Sequence, residues 1–208
     1  MHHQLEAPAV IAKSADNAPA LAPSSPSASD NHIYFNQRVD SDSCIALTKQ
    51  IRELVNGMRQ QRITQGLHDG WPKTPIWLHV QSWGGNPFPA LAVADQLELF
   101  DWPVYSIVEG YCASAATFIA LACEKRFILP SSFMLIHQLS SLMWGTFEQF
   151  QDEINLQAML MEQFTAFYAR HSNVKPKEIR KRLKRDYWMS AQQAVSDGFV
   201  DKLLPISL

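Results

Sequence analysis

The sequence predicts an α/β fold, in which strands and helices alternate along one domain. Two apolar runs of strand length, PIWLHVQ at 75–81 and PVYSIVEG at 103–110, stand between stretches whose apolar residues recur at helical spacing. The 208 residues, of which 47% are hydrophobic, are enough for a single domain with one sizeable core. The sequence contains no internal repeat that would indicate a different architecture.

The first half of the chain predicts three strands and three helices. A short strand is expected at 33–35, and the apolar residues from Ile45 to Met58 predict a helix that the Ser/Asp-rich DSDS segment caps. The strand at 75–81, the loop SWGGNP, a helix at 88–100 and the strand at 103–110 follow in order. Ser114 then opens a helix that ends near Cys123.

The second half predicts further strands, a long helix and two short helices. RFILP and FMLIHQ (133–138) have the composition of strands, and an amphipathic pattern predicts a long helix at 147–170. A shorter basic helix follows Pro176. Ser190 and Gln193 fit a capping box for a helix that Gly198 ends, before a last strand VDKLL.

Composition divides the chain into a tail and a folded domain. Residues 1–31 are rich in Ala, Ser and Pro, so we expect a disordered tail there and a domain at 32–208. The formal net charge of −2 does not favour nucleic acid or an acidic membrane as a partner, and no apolar run approaches the ~20 residues of a membrane span. Three cysteines without a CxxC motif, and no secretory signal pattern, favour a cytoplasmic protein.

Ser114 lies among small residues in the segment EGYCASAATFIA. A serine hydroxyl becomes an effective nucleophile when a base lies within hydrogen-bonding reach and a third group orients that base. At a helix start, free backbone N–H groups can also stabilise negative charge. By itself the segment fits an ordinary N-cap serine among packing alanines better than it fits a nucleophile, and the choice depends on the other segments.

Two other segments contain the remaining parts of such a site. His137 ends the apolar run FMLIH, which places it at the C-terminal edge of a strand, where α/β folds gather their sites. Gly84 and Gly85 follow the strand at 75–81 and allow backbone conformations that direct an N–H group at a ligand. Taken singly, a structural histidine and a plain glycine turn are the ordinary alternatives.

Together, the segments QSWGGNP, EGYCASAATFIA, KRFILPSSFMLIHQ and RDYWMSAQQAVSDGFVDKLL resemble the proteolytic subunit of the Clp protease. The likeness covers residues 33 to 204 and keeps the family's order of Gly-Gly loop, serine turn, strand-end histidine and aspartate before a Ser-Ala helix. It implies a Clp protease/crotonase-like domain of repeated β-β-α units with a long handle helix at 147–170.

The resemblance also implies roles for particular residues. Ser114 matches the family's nucleophile, His137 its general base and Asp186 its orienting acid, while the amides of Gly85 and Ala115 match the oxyanion hole. Asp201 is the rival for the acid. The implied activity is that of a serine endopeptidase, which hydrolyses peptide bonds through an acyl-enzyme and needs no metal or organic cofactor.

Partners follow from the resemblance as well. Members of the family stack as two heptameric rings, which implies a homo-oligomeric tetradecamer that acts on peptide and unfolded-protein substrates. Such proteases work with a separate AAA+ unfoldase ATPase, so ATP would be used by the partner.

The chain departs from the family pattern at three places. Trp83 replaces the usual proline before the glycines, LSSLMWG follows His137 and Gln138 where the family has Pro and Gly-Gly, and Lys184 and Arg185 alter the pair beside the aspartate. Two alternatives therefore stay open. One is a catalytically inactive ring or scaffold subunit, and the other is a crotonase-like acyl-CoA hydratase or isomerase, which would use acidic residues near its oxyanion hole.

Two remaining features have simpler interpretations. In KPKEIRKRLKR (175–185) seven of eleven residues are basic, and we interpret the run as a solvated helix face because no aromatic residue interleaves with it. Cys112 is a possible thiol nucleophile, but its position before Ser114 fits a small buried residue better.

Overall fold

A computed structural model describes residues 31–67, 70–140 and 144–204, and it confirms the α/β fold. Apart from Asn31, the tail predicted at 1–31 lies outside the described residues. In chain order the elements are β1 (His32–Phe35), α1 (Ser41–Thr64), β2 (Ile76–Ser82), α2 (Pro87–Glu98), β3 (Val104–Ala113), α3 (Ala116–Leu121), β4 (Lys125–Ile128), β5 (Phe133–Ile136), α4 (Phe147–Arg170), α5 (Pro176–Arg182), β6 (Tyr187–Ser190), α6 (Ala191–Ser196) and β7 (Lys202–Leu203).

The strands form one sheet that is centred on β3. Neighbouring strands follow the order β1-β2-β3-β4-β7, and β5 pairs with both β3 and β6. Every pair is parallel except β5 with β6. β3 pairs with β2 along one edge; along the other it pairs first with β4, at 105–108, and then with β5, at 111–113. Because β3 is ten residues long, it is the strand that holds the two parts of the sheet together.

The structure differs from the expected boundaries around Ser114. β3 runs to Ala113, three residues beyond the predicted end, because Tyr111, Cys112 and Ala113 pair with β5. α3 begins at Ala116, and its N-cap residue is Ala115, which makes no side-chain cap bond. The N-cap interpretation of Ser114 is therefore wrong. Ser114 occupies the turn between strand and helix, with a φ of 55°.

The long helix α4 has the predicted bounds, and its two halves differ in environment. Its buried residues, Leu160, Phe164, Thr165, Phe167 and Tyr168, all lie in the C-terminal half. The N-terminal half exposes Phe147 and Ile154, and Met159 is exposed at the boundary between the halves. No helix within the described ranges is long and apolar enough to cross a membrane.

The basic segment forms α5, and ion pairs neutralise part of its charge. Arg180 binds Glu162 of α4, and Arg182 binds Asp197 at the end of α6, each with an N···O distance of 2.6 Å. Arg182 also lies 3.4 Å from Glu178 of its own helix. These contacts dock α5 against α4 and α6. They agree with the interpretation of the basic run as one face of a helix within the fold.

A glycine turn after β2 lies directly against the Ser114 turn. Val39 N donates to Gly84 O at 2.9 Å, and Asn86 N donates to Val39 O at 2.8 Å, so the turn is tied to the segment after β1. Gly84 has a φ of +88°, and a Cβ atom there would lie 2.6 Å from Ala113 O and 2.8 Å from Ala115 N. Only glycine fits this position, because both obstacles are backbone atoms.

The close approach predicts that Gly84→Ala is destabilising. We expect the free energy of unfolding, measured by chemical denaturation, to fall by about 1–3 kcal/mol from the backbone conformation alone, and the clash adds to that loss. Gly57→Ala is the matched control. Gly57 lies inside α1 with no heavy atom within 4 Å of an added Cβ, so alanine should stabilise the protein by roughly 0.5–1 kcal/mol. Equal effects of the two substitutions would contradict the packing described here.

Candidate active site

Three strand ends bring together residues that are far apart in the sequence. β2 ends before Gly84 and Gly85, β3 ends before Ser114, and β5 ends before His137. Since β2, β3 and β5 run parallel, their carboxyl ends meet at the same edge of the sheet. The Ser114 N–H donates to Leu135 O at 2.9 Å, which joins the serine turn to the strand that leads to His137.

A small cavity lies where these strand ends meet. Its volume is about 70 Å³, and four of the five predicted site residues line it: Ser114, His137, Gly85 and Ala115. The other lining residues are Pro87, Phe118, Gln138, Leu139, Ser140, Phe164 and Tyr168. Ser114 and His137 are both partly buried, so a ligand that enters the cavity from solvent can reach their side chains.

His137 and Asp186 adjoin the same end of the β5–β6 ladder. β5 and β6 are antiparallel, and Ile136 opposite Tyr187 is the last pair; His137 directly follows Ile136, and Asp186 directly precedes Tyr187. Asp186 is exposed and does not line the cavity. No hydrogen bond joins Ser114, His137 and Asp186 to one another within residues 31–67, 70–140 and 144–204. In ligand-free enzymes such bonds are often long and shorten when substrate binds.

The rival acid, Asp201, is engaged elsewhere. Its Oδ1 lies 2.9 Å from Arg126 Nη2, and its Oδ2 accepts the Arg126 backbone N–H at 2.8 Å. Arg126 belongs to β4, and Asp201 comes directly before β7, the partner of that strand. Asp201 thus supports the β4–β7 pair, and of the two aspartates only Asp186 adjoins the same end of the β5–β6 ladder as His137.

Two residues that line the cavity, Gly85 and Ala115, have backbone amides without a bonding partner among the described residues. The Gly84 N–H donates to Ser82 Oγ at 3.1 Å, and the Asn86 N–H donates to Val39 O. Between them, the Gly85 N–H donates to no group of the described chain, and neither does the Ala115 N–H after Ser114. Unpaired N–H groups beside a nucleophile are suited to binding an oxygen atom that carries negative charge.

The floor of the cavity is built by α3 and the buried half of α4. Thr117 Oγ1 donates to Ser114 O at 2.6 Å and also contacts the Tyr168 hydroxyl at 2.7 Å. Phe118 packs on Phe164 and Tyr168, with ring centroids 4.8 and 5.1 Å apart. Burial raises the pKa of Tyr168, so its hydroxyl stays neutral. The sequence analysis missed Tyr168, although it stands four residues after Phe164 on the same helix face.

The described residues contain no group of three His, Cys, Asp or Glu side chains that is suited to holding a metal ion. The side chains nearest to such an arrangement are His32, His79 and Glu109, away from the cavity. His79 Nε2 lies 2.8 Å from His32 Nδ1, and His79 Nδ1 lies 2.6 Å from Glu109 Oε1. These contacts join β1, β2 and β3 on one face of the sheet.

Comparisons with known proteins agree with this architecture. The sequence model of the Clp protease family matches residues 27–206. An ATP-dependent Clp protease proteolytic subunit of Streptococcus suis is 31% identical over 172 residues, which cover 80% of this chain and 87% of that protein. One of Treponema denticola, proteolytic subunit 2, is 30% identical over 131 residues, or 62% of this chain and 66% of that protein.

A solved structure confirms the expected fold. The chain resembles a mutant ClpP1 from Listeria monocytogenes with a TM-score of 0.70, over 85% of this chain and 92% of the other, at 22% sequence identity. The structural likeness supports the assignment of the fold. The match to the family model and the identity with the curated relatives support membership of the family. On these grounds, the chain belongs to the Clp protease family.

Proposed function

We propose that this protein is a serine endopeptidase in which Ser114, His137 and Asp186 form the catalytic triad. One observation carries the proposal: Ser114 and His137 line the same cavity as Gly85 and Ala115, whose N–H groups donate to no other group of the described residues. A nucleophile, a base and two available amides are what acyl transfer to a serine requires.

The mechanism follows from these positions. Ser114 Oγ attacks the carbonyl carbon of a peptide bond while His137 accepts the hydroxyl proton, and the negative charge moves to the carbonyl oxygen. The amides of Gly85 and Ala115 bind that oxyanion, and each donor contributes roughly 10²–10³ to the rate. His137 then protonates the leaving amine, and water, activated by the same ring, hydrolyses the acyl-enzyme.

Asp186 acts on the base and not on the substrate. In the proposed mechanism the carboxylate accepts a hydrogen bond from the His137 ring during the reaction and stabilises the imidazolium. This requires the three groups to move closer together when substrate binds, and the exposed Asp186 side chain is free to change rotamer.

Two observations weigh against the alternative chemistries. A crotonase-like hydratase or isomerase would use a carboxylate beside its oxyanion hole, and no aspartate or glutamate of the described chain lines the cavity. Cys112 is fully buried, burial raises the pKa of its thiol far above the usual range, and nearby Cys123 raises it further. A thiol in this state stays protonated and does not act as a nucleophile.

The assembly we propose is a homo-oligomer of two stacked heptameric rings, a tetradecamer. Phe147 and Ile154 in the N-terminal half of α4, together with Trp144 before the helix, leave large apolar surfaces in solvent. A helix with such a face is normally covered by another protein surface. The relatives named above are subunits of ATP-dependent proteases. We therefore propose that a partner AAA+ unfoldase, which uses ATP, delivers unfolded proteins to this chain in the cytoplasm.

Labelling with a fluorophosphonate probe tests the triad. Mass spectrometry should locate the label at Ser114 in the wild-type protein, and Ser114→Ala should abolish it. We expect His137→Ala and Asp186→Asn to lower the rate of peptide hydrolysis by about 10³-fold or more. Ser131→Ala is the control, because Ser131 is exposed and lies outside the cavity. A folded wild-type protein that takes up no label would contradict the proposal and favour the inactive scaffold subunit or the crotonase-like hydratase.

Iodoacetamide modification tests the exclusion of Cys112. The raised pKa keeps the thiol protonated at pH 8, so we expect no modification of Cys112 in the folded protein and complete modification in denaturant. Peptide mapping by mass spectrometry gives the measurement. Rapid modification in the folded state, together with loss of activity, would reassign the nucleophile.

Native mass spectrometry tests the assembly. The wild-type protein should have the mass of a tetradecamer, and Ile154→Glu should yield heptamers or smaller species, since a buried charge opposes contact between rings. Asn56→Glu, at an exposed polar position of α1, is the control and should leave the mass unchanged. A monomeric wild-type protein at micromolar concentration would contradict the proposal.

A further inference from the structure

We propose that Trp83, Tyr111 and Trp188 form an aromatic brace that positions Asp186 relative to the oxyanion amides, with Trp83 and Trp188 as positioning residues. The inference rests on the proposed function, because it concerns the same site. It assigns a role to three side chains that are not among the residues lining the cavity.

The three rings are in direct contact. The Trp83 ring stacks on the Tyr111 ring with centroids 4.2 Å apart and an angle of 27° between their planes. The Trp188 ring meets Trp83 edge to face, with a centroid distance of 6.1 Å and an angle of 85°. Both arrangements are favourable for aromatic pairs.

Each ring belongs to a different segment of the site. Trp83 immediately precedes Gly84 and Gly85, Tyr111 lies three residues before Ser114 on β3, and Trp188 lies two residues after Asp186 on β6. The contacts therefore join the glycine turn, the serine strand and the aspartate strand through side chains. The backbone ladder joins the same segments step by step, from β2 to β3, from β3 to β5 and from β5 to β6.

The segment that carries Asp186 has the weakest backbone support of the three, because Asp186 lies just before β6 and outside the strand. β6 has four residues and, in the part of the chain that the structure describes, pairs only with β5. Asp186 itself is exposed and is joined by hydrogen bonds to neither His137 nor Ser114. The Trp83–Trp188 contact reaches past β5 to the turn after β2, so it limits how far β6 can move away from the glycine turn.

The exposure of these rings fits a positioning role better than a core role. Trp83 is 54% exposed and Trp188 is 45% exposed, so neither is needed to fill the hydrophobic core. Removing either ring leaves no internal cavity and should leave the global stability close to that of the wild-type protein. The effect should appear in the catalytic rate, since small displacements of a catalytic group are costly.

The experiment measures kcat and KM for a fluorogenic peptide, and the rate of fluorophosphonate labelling at Ser114. We expect Trp188→Ala to lower kcat and the labelling rate by about 10- to 100-fold with KM changed by less than about twofold. Trp188→Phe should restore most of the loss, because phenylalanine can keep the edge-to-face contact. Trp71→Ala is the matched control: Trp71 is 58% exposed and lies in the loop before β2.

A second background separates positioning from general damage. In Asp186→Ala the group that the brace positions is gone, so adding Trp188→Ala should cause little further loss of kcat. Full additivity of the two substitutions would overturn the proposal, and so would an effect confined to KM. A change of native mass in Trp188→Ala would also overturn it, because the ring would then belong to a contact between subunits.

The two hypotheses fail in different ways. If wild-type Ser114 takes up no label, the proposed peptidase function fails, and the brace fails with it. If wild-type Ser114 is labelled and the Trp83→Ala and Trp188→Ala variants are labelled at the wild-type rate, the peptidase function stands and the brace alone is wrong.

Discussion

The pairing of β3 along both of its edges is the constraint on which the site depends. Cys112 pairs with β2, and Cys112 and Ala113 pair with β5, so β3 stays in the sheet up to Ala113. The change of direction must therefore occur at the next residue. The chain turns at Ser114, whose left-handed φ of 55° is uncommon for a residue with a side chain. Such strain persists only where the surrounding structure holds it, and here the bonds to Leu135 O and from Thr117 hold it.

The electrostatic character of the site follows from the same turn. Because the strand ends at Ala113 and the helix starts at Ala116, the Ala115 amide belongs to neither hydrogen-bonding pattern. The Gly85 amide also lacks an acceptor among the described residues. The amides on either side of it are paired, since Gly84 N–H donates to Ser82 and Asn86 N–H donates to Val39. Two donors are thus available beside a hydroxyl, and among the described residues no lysine or arginine lines the cavity.

The catalytic region and the helix α4 are coupled through one buried cluster. The C-terminal half of α4 brings Phe164 and Tyr168 under α3, and the Tyr168 hydroxyl contacts Thr117, which binds the Ser114 carbonyl. The N-terminal half extends beyond this cluster and contributes no buried side chain to the core. One helix therefore supports the serine turn at one end and presents an uncovered apolar surface at the other.

The sequence by itself determined the features that depend on local patterns. The apolar periodicity of 147–170 predicts α4 with its observed bounds, because one face of the helix is buried. The apolar composition of 75–81 and 133–138 predicts β2 and β5 to within a residue or two, because these strands are largely buried. The strand-end position of His137 and the glycine pair at 84–85 were visible for the same reason. The role assigned to Asp186 needed the resemblance to a family, since its neighbours Lys184 and Arg185 suggest only a solvated charged segment.

Only the tertiary structure decided the rest. The length of β3, the turn conformation of Ser114, the engagement of Asp201 by Arg126 and the contacts of Trp83 with Tyr111 and Trp188 all depend on strand register between distant segments. Register is set by the packing of whole strands, and a shift by one residue would turn each side chain to the opposite face of the sheet. Local sequence patterns carry no information about such pairings, which is why the partners of these residues became visible only in the folded chain.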